Sequence, residues 1–143
     1  MHTVQQILAQ KSVAEVWSVR PDATVFEAIQ MMADRHVGAL LVIEGKELRG
    51  IISERDYARE VILKGRASKD TLVGQIMSTP VITVSATDLV RDSLSLMTNN
   101  HIRHLPVVDQ EQIIGIVSIG DLVKDVIDDQ QSTIEQLENY IRS

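Results

Sequence analysis

Apolar residues recur at helical spacing in two long segments of the chain. In the first segment they fall at i, i+3, i+4, i+7 and i+8, which predicts an amphipathic helix: Val25, Ala28, Ile29, Met32 and Ala33. In the second segment a similar stripe is formed by Val90, Leu94 and Met97. Thr24 and Glu27 predict a capping box at the first helix, and Thr87 or Asp88 is expected to cap the second.

Short apolar runs follow each predicted helix and indicate β-hairpins. The expected strands are 39–43 with 48–53 and 105–108 with 113–118, each pair separated by a polar turn. Second helices are expected over about 56–63 and 121–128. With a short strand near 17–19 or 82–84, each half of the chain is predicted to run β-α-β-β-α.

The two halves are copies of one another. Gly50-Ile-Ile-Ser-Glu-Arg-Asp56 recurs as Gly115-Ile-Val-Ser-Ile-Gly-Asp121, an offset of 65 residues. Without gaps, residues 19–62 share 12 of 44 positions with residues 84–127. Two copies are too few for a solenoid. We therefore expect an α/β (α+β) fold in which two β-α-β-β-α modules pack around a pseudo-two-fold axis.

The remaining segments are interpreted as flanks and a linker. The predicted organisation is an N-terminal helix in 1–11, a first module in 12–64, a linker in 65–75, a second module in 76–128 and a C-terminal helix in 129–143. Ile134, Leu137 and Ile141 form an apolar stripe on the last helix. Short helices are marginal alone, so both flanks are expected to pack on the body or on a second subunit.

Composition narrows the possible functions. The chain has 143 residues, 44% of them hydrophobic and 24% charged, which fits one domain or two small units with an aliphatic core. Cysteine is absent, so disulfides, thiolate catalysis and Cys-ligated zinc are excluded. One Trp, one Phe and two Tyr offer little surface for stacking single-stranded bases.

The charge is negative and unevenly spread. Residues 1–75 carry 10 basic and 10 acidic side chains, and residues 76–143 carry 4 and 10, for a net charge of −6. An acidic chain is a poor partner for duplex nucleic acid. The longest apolar run, 39–43, cannot span a bilayer, and the first residues do not look like a secretion signal. We expect a cytoplasmic protein that binds neither duplex nucleic acid nor membrane.

The repeated Ser-x-x-Asp motif is the main candidate for chemistry. Ser53 with Asp56, and Ser118 with Asp121, sit where a strand passes into a helix. One interpretation is a capping box. The other is a ligand site, in which the carboxylate accepts hydrogen bonds from a vicinal diol and the helix end attracts phosphate. The two interpretations are compatible for Ser, and the sequence leaves both open.

These motifs resemble those of tandem CBS domains, also called a Bateman module. The glycine-to-aspartate segments match the family's Gly-apolar-x-Ser/Thr-x-x-Asp ending in both copies. Arg103-His-Leu-Pro-Val-Val-Asp109 matches its second-strand signature, and Pro80-Val-Ile-Thr-Val84 its opening strand. The resemblance covers about residues 12–128 and is closest to stand-alone two-module proteins.

The resemblance implies a regulatory homodimer that binds an adenosine ligand such as AMP, ADP, ATP, NAD(H) or S-adenosylmethionine and acts on a separate protein. It implies no enzyme activity, no catalytic cofactor and no metal. The residues that match a main cleft are Ile82, Thr83, Arg103, His104, Ser118 and Asp121, with Arg55 within possible reach. Those that match a weaker cleft are Trp17, Ser18, Ser53 and Asp56. Where the second copy has Arg103 and His104, the first has Gly38 and Ala39, so its phosphate contacts are in doubt.

Two alternatives remain. The first is a ligand-free dimerisation module with empty clefts. The second is a hydrolase, because Ser118, His104 and Asp121 are residue types of a catalytic triad, although the Gly-x-Ser-x-Gly motif is missing. His36 and His101 occupy equivalent positions at helix ends, where the macrodipole favours them. His101 and His104 alone make a weak metal pair.

Overall fold

The computed structural model describes residues 2–11 and 16–142, and the chain divides into two compact units. The first unit is Val16–Ile82; the second joins the N-terminal segment to the chain from Thr83 onward. These units divide the chain differently from the predicted modules, because residues 65–82 belong with the first unit and the N-terminal helix with the second. The predicted module boundary at residue 12 lies outside the described residues.

The helices and strands alternate in the same order in both units. They are α1 (Val4–Gln10), β1 (Ser18–Val19), α2 (Val25–Arg35), β2 (Ala39–Glu44), β3 (Glu47–Ser53), α3 (Glu54–Tyr57), a π-helical turn (Ala58–Ile62), α4 (Val73–Ile76), β4 (Val84–Ser85), α5 (Val90–Asn100), β5 (His104–Asp109), β6 (Gln112–Ser118) and α6 (Ile119–Arg142).

Each unit contains a three-stranded sheet with the same topology. The strand orders are β1-β2-β3 and β4-β5-β6. The first two strands of each sheet are parallel and the last two form an antiparallel hairpin. Val42 pairs with Gly50, and Val107 pairs with Gly115, so the repeat seen in the sequence is also a repeat of strand register. The predicted mixed α/β class and the two hairpins are confirmed.

Aliphatic side chains fill both cores, as the composition requires. In the first unit the buried cluster includes Val25, Met32, Leu40, Val42, Ile52, Val61 and Val73. In the second unit the buried residues include Val4, Ile7, Val90, Met97, Leu105, Val107, Val117 and Leu122. The second strand of each hairpin, which contributes buried residues to the core, therefore ends at the serine of the Ser-x-x-Asp motif.

The predicted bounds of the later helices were wrong. α3 begins at Glu54 rather than residue 56, because Ser53 caps it, and a π-helical turn completes it. The predicted helices over 121–128 and 129–143 are one continuous helix, Ile119–Arg142. No glycine or proline lies between Leu122 and Arg142, so nothing in the sequence interrupts the helix there.

The expected cap of α5 was also wrong. The helix begins at Val90 with Leu89 as its N-cap, and no side chain caps it. The Asp88 carboxylate instead accepts a hydrogen bond from the Ser85 N–H at 2.8 Å. The Val90 N–H donates to the carbonyl of His2 at 3.1 Å, so the N-terminal segment serves this helix end.

A second repeat, only six residues long, relates the N-terminal helix α1 to α4. At an offset of 69, Thr3–Leu8 aligns with Leu72–Met77, with identities at Val, Gln and Ile. In both places a glutamine side chain accepts from the backbone N–H at the helix start, at 2.8 Å. α4 packs in the first unit as α1 packs in the second. Each unit is thus a helix plus β-α-β-β-α, and the second unit takes its helix from the beginning of the chain.

The glycine of each repeated motif makes room for this added helix. A Cβ on Gly50 would lie 2.7 Å from Met77 Sδ, and one on Gly115 would lie 2.8 Å from Leu8 Cδ2. Real side chains do not approach so closely, so these two glycines allow α4 and α1 to pack on the hairpins. In both motifs the glycine therefore allows a helix to pack closely on the hairpin of the same unit.

Candidate functional site

In the first unit, Ser53 and Asp56 form a reciprocal capping box at the start of α3. The Ser53 N–H donates to Asp56 Oδ2 at 2.9 Å, and the Asp56 N–H donates to Ser53 Oγ at 3.2 Å. The other carboxylate oxygen, Oδ1, accepts from the hydroxyl of Ser78 at 3.1 Å. Both oxygens of Asp56 therefore have a partner within their own unit.

In the second unit, Ser118 and Asp121 form the equivalent contacts at the start of α6. The Ser118 N–H donates to Asp121 Oδ2 at 2.9 Å, and the Asp121 N–H donates to Ser118 Oγ at 3.1 Å. Oδ2 also accepts from Lys11 Nζ at 3.0 Å. Lys11 and the Ser118 N–H therefore both contact the same carboxylate oxygen, Oδ2.

The hydrogen bonds from Ser118 and the contact with Lys11 together keep Asp121 ionised. Burial raises the pKa of this carboxyl, but the hydrogen bonds from Ser118 and the contact with Lys11 outweigh burial and hold its pKa below the usual value. Asp121 is therefore an anion at neutral pH. Lys11 Nζ also donates to the carbonyl of Ile116 at 3.0 Å, which fixes the ammonium between β6 and α6.

Two basic residues lie beside the start of α6. His104 pairs with Ser118 across the β5–β6 hairpin. The Ile119 N–H donates to the carbonyl of Arg103 at 2.8 Å, which holds the residue before β5 next to the helix N-terminus. The structure thus brings Arg103, His104, Ser118 and Asp121 together, and we refer to these four as the second cluster. Thr83 belongs to the same unit and directly precedes β4.

The first unit has the same backbone geometry without the cations. The Glu54 N–H donates to the carbonyl of Gly38 at 3.1 Å, in the place of the Arg103 contact. Ala39 pairs with Ser53, in the place of His104. The difference between the two copies that the sequence predicted is therefore present at equivalent points of the hairpins.

Contacts within the first unit occupy Trp17. Its carbonyl accepts from the Leu41 N–H at 3.2 Å, and the Arg35 guanidinium lies 4.1 Å from the centre of its ring. Ser18 follows in β1 and pairs with Leu41. Ser18 also lines an open cavity of about 430 Å³ together with Val19, Arg20, Asp22, Ala23, Glu27 and Met31. Ser53 and Asp56 do not line that cavity, so it is separate from the Ser-x-x-Asp motif.

Ile82 and Arg55, which the sequence grouped with the main cleft, belong to the first unit. Their inclusion there stays a prediction. The repeat does reveal a chemical difference at Ile82, the equivalent of Trp17. Pro106 takes the position of Leu41, and a proline has no N–H to donate. The Ile82 carbonyl therefore lacks the intramolecular donor that Leu41 gives to Trp17.

Sequence reasoning missed Lys11 and Ser78, the side chains that contact the two motif aspartates. Lys11 is 110 residues from Asp121, and Ser78 is 22 residues from Asp56. The 65-residue offset does not align them. The short repeat at an offset of 69 residues was the available signal, because the segments that it aligns, 3–8 and 72–77, end shortly before Lys11 and Ser78.

Other chemistry finds little support in the described part of the chain. No group of three or more His, Asp or Glu side chains there could hold a metal ion. His36 and His101 are the C-caps of α2 and α5 in left-handed conformation, with φ of 56° and 54°. No helix among the described residues is both long and apolar enough to cross a membrane.

Comparisons with known proteins agree with this architecture. The family model for the CBS domain matches twice, at residues 7–63 and 73–128. A proposed signal-transduction protein with CBS domains from Burkholderia ambifaria has a solved structure that is 46% identical, with a TM-score of 0.86, covering 90% of this chain and 96% of that one.

Two curated relatives are also CBS domain-containing proteins. The mitochondrial CBS domain-containing protein CBSX3 of Arabidopsis thaliana is 44% identical over 126 residues, which is 85% of this chain and 61% of that protein. CBS domain-containing protein YhcV of Bacillus subtilis is 37% identical over 108 residues, or 76% of each chain. The chain therefore spans less than two thirds of the Arabidopsis relative. With two matches to the family model and relatives at this level of identity, the chain belongs to the CBS-domain family, as a tandem pair of CBS domains.

Proposed function

We propose that this chain is a regulatory module that binds an adenine nucleotide, such as AMP, ADP, ATP or NAD(H), chiefly at the second cluster. Binding would report energy or redox state to a separate protein. The observation that carries the proposal is the ionised carboxylate of Asp121, whose helix-cap and Lys11 contacts use Oδ2, together with Arg103 and His104 beside it in the hairpin.

The carboxylate suits the ribose. A vicinal diol offers two O–H donors, and an ionised carboxylate is the side chain best able to accept them. At Asp121 the cap and Lys11 use Oδ2. A ligand hydroxyl that binds Oδ1 would therefore leave the helix cap intact, so the capping and ligand interpretations of the motif are compatible.

The cations suit the phosphate. Arg103 is exposed and His104 half-exposed, and both lie next to the N-terminus of α6. A helix N-terminus favours an anion, and an arginine beside it adds charge-assisted hydrogen bonds. Ser118 Oγ, which accepts from the Asp121 N–H, can still donate its own proton to a phosphate oxygen.

The adenine would contact the chain at Ile82 and Thr83, just before β4. The Ile82 carbonyl lacks the donor that its equivalent, Trp17, receives from Leu41. It can therefore accept from the exocyclic amino group of adenine. In the first unit the corresponding carbonyl is used, Ser78 contacts Asp56, and no cations replace Arg103 and His104. A site on Trp17, Ser18, Ser53 and Asp56 should therefore be the weaker one.

A thermal-shift panel with AMP, ATP, NADH and S-adenosylmethionine tests the proposal. A ligand at about 100 times its dissociation constant adds about 2.7 kcal/mol to the free energy of unfolding. At least one ligand should raise the melting temperature of the wild type and of Asp56→Ala by similar amounts, and the shift should be much smaller for Asp121→Ala. No shift for any ligand with the wild type would favour the ligand-free interaction module instead.

We further propose that the chain is not an enzyme, acts as a homodimer and works in the cytoplasm on a partner in trans. On the second helices, from which we expect dimer contacts, Val61 and Leu122 are buried in their own units, whereas Ile62 and Ile127 are 56% and 59% exposed. Exposed apolar side chains on these second helices support association. Sedimentation of the purified chain as a monomer at micromolar concentration would contradict the homodimer.

A further inference from the structure

The C-terminal half of α6 extends away from its own unit. Leu122 and Asp125 are buried, and they mark the face with which the helix packs on the second unit. From Asp128 to Arg142 every residue is exposed. Fifteen residues of helix are only marginally stable in water without tertiary contacts. This extension therefore calls for a partner.

A second apolar face runs along the whole helix. Its members are exposed by 40% to 81%: Val123, Ile127, Ile134, Leu137 and Ile141. With Gln130 included, the spacing is 4, 3, 4, 3 and 4 residues, which is the a/d repeat of a coiled coil. This face, which we call the seam, is about 100° around the helix from the buried Leu122. An a/d seam fits another helix rather than a flat surface or a small ligand.

The seam is self-complementary when reversed. In an antiparallel pair Val123 can lie opposite Ile141, Ile127 opposite Leu137, and Gln130 opposite Ile134, so that every layer is filled. Lys124 and Glu138 flank the seam on the same side, one near each end. Reversal brings the lysine of one copy to the glutamate of the other, twice per dimer.

We propose that α6 pairs with α6 of a second copy of this chain as an antiparallel two-helix coiled coil centred near Ser132. A parallel pair fits the charges less well. It would leave Lys124 and Glu138 about 21 Å apart along the axis, at 1.5 Å per residue. This pairing specifies a surface for the proposed homodimer and does not depend on nucleotide binding.

Pulsed electron–electron double resonance on spin-labelled cysteines tests the pairing. The chain contains no cysteine, so each introduced one is labelled alone. Ser132→Cys and Asn139→Cys are exposed, lie outside the seam and occupy the same heptad position one heptad apart. In the antiparallel pair the axial offset between the two labels should be near zero at 132 and about 21 Å at 139. The distance between labels should therefore be clearly longer at 139.

Each contrary outcome has a separate meaning. Equal distances at the two positions would indicate a parallel pair and overturn this proposal while leaving the homodimer. Absence of dipolar coupling at both positions would overturn the pairing of α6. Leu137→Glu in the seam should remove the narrow distance distribution, whereas Glu138→Gln should broaden it only. Unchanged distances in Leu137→Glu would show that another surface holds the dimer and would also overturn the seam.

Discussion

Replacing Lys11 by methionine should destabilise the second unit through a contact that joins the two ends of the chain. The substitution keeps an unbranched stem of similar length and removes the ammonium. It deletes the donor to the Ile116 carbonyl and to Asp121 Oδ2, both at 3.0 Å. Asp121 would keep its hydrogen bonds with Ser118, so helix α6 should still be capped.

The size of the effect follows from the exposure of the pair. The side chains of Lys11 and Asp121 are 31% and 26% exposed, so the contact is screened less than a surface pair but is not dry. Surface pairs contribute about 0–1 kcal/mol, and hydrogen bonds to charged groups about 1.5–3 kcal/mol. We expect Lys11→Met to lower the free energy of unfolding by about 1–2 kcal/mol at neutral pH.

The loss should depend on pH in one direction. Lys11 and Ser118 lower the pKa of Asp121 from its usual value of 3.8, so the stabilisation is present above that value. It disappears as the pH falls through the lower pKa of the folded state, because the carboxyl is then protonated in both states. The difference between wild type and Lys11→Met should therefore be constant from pH 7 to about 5 and shrink below 3.8.

Urea unfolding over this pH range measures the effect, with Lys64→Met as the matched control. Lys64 pairs with Glu60 on an exposed helix turn, so the same substitution there should leave stability near that of the wild type. A Lys11→Met variant as stable as the wild type at pH 7 would refute the reasoning. So would a loss that stays the same at every pH.

Three further outcomes can be measured. Gly115→Ala should lower stability by about 1–3 kcal/mol, because its Cβ would lie 2.8 Å from Leu8 Cδ2; adding Leu8→Ala should cost less than the sum of the two single losses, as urea unfolding can show. Arg103→Ala should weaken AMP about tenfold or more and adenosine little, since a charge-assisted hydrogen bond contributes about 1.5–3 kcal/mol; calorimetric titration of both ligands decides this. The protein should not turn over ATP in a phosphate-release assay, and sustained release that is lost in Ser118→Ala would revive the hydrolase.

The β-hairpins and the amphipathic helices could be predicted because local patterns specify them. The alternation of apolar runs and polar turns located all four hairpin strands to within one residue at each end. The repeat at an offset of 65 residues identified the Ser-x-x-Asp motifs. It also showed that the first copy has Gly38 where the second has Arg103. Each of these features depends on residues that are close in sequence, so the sequence pattern is enough to predict it.

The contacts across long stretches of chain could not be predicted in the same way. Lys11 reaches Asp121 only because α1 packs beside the hairpin that contains Gly115, and that packing depends on the absence of a side chain at the glycine. The cap of α5 was missed for a related reason, since the His2 carbonyl takes the Val90 N–H. Neither partner can be inferred from the residues around the helix itself.

Calorimetric titration of AMP into the wild type, Asp121→Asn and Asp56→Asn tests the central claim most directly. Asparagine keeps an oxygen that can cap the helix but lacks the anionic acceptor pair that a ribose diol needs. The account predicts that Asp121→Asn removes most of the measurable affinity and that Asp56→Asn leaves the strong site nearly intact. Equal losses in the two variants, or a wild type that does not bind AMP or any other adenosine ligand, would contradict it.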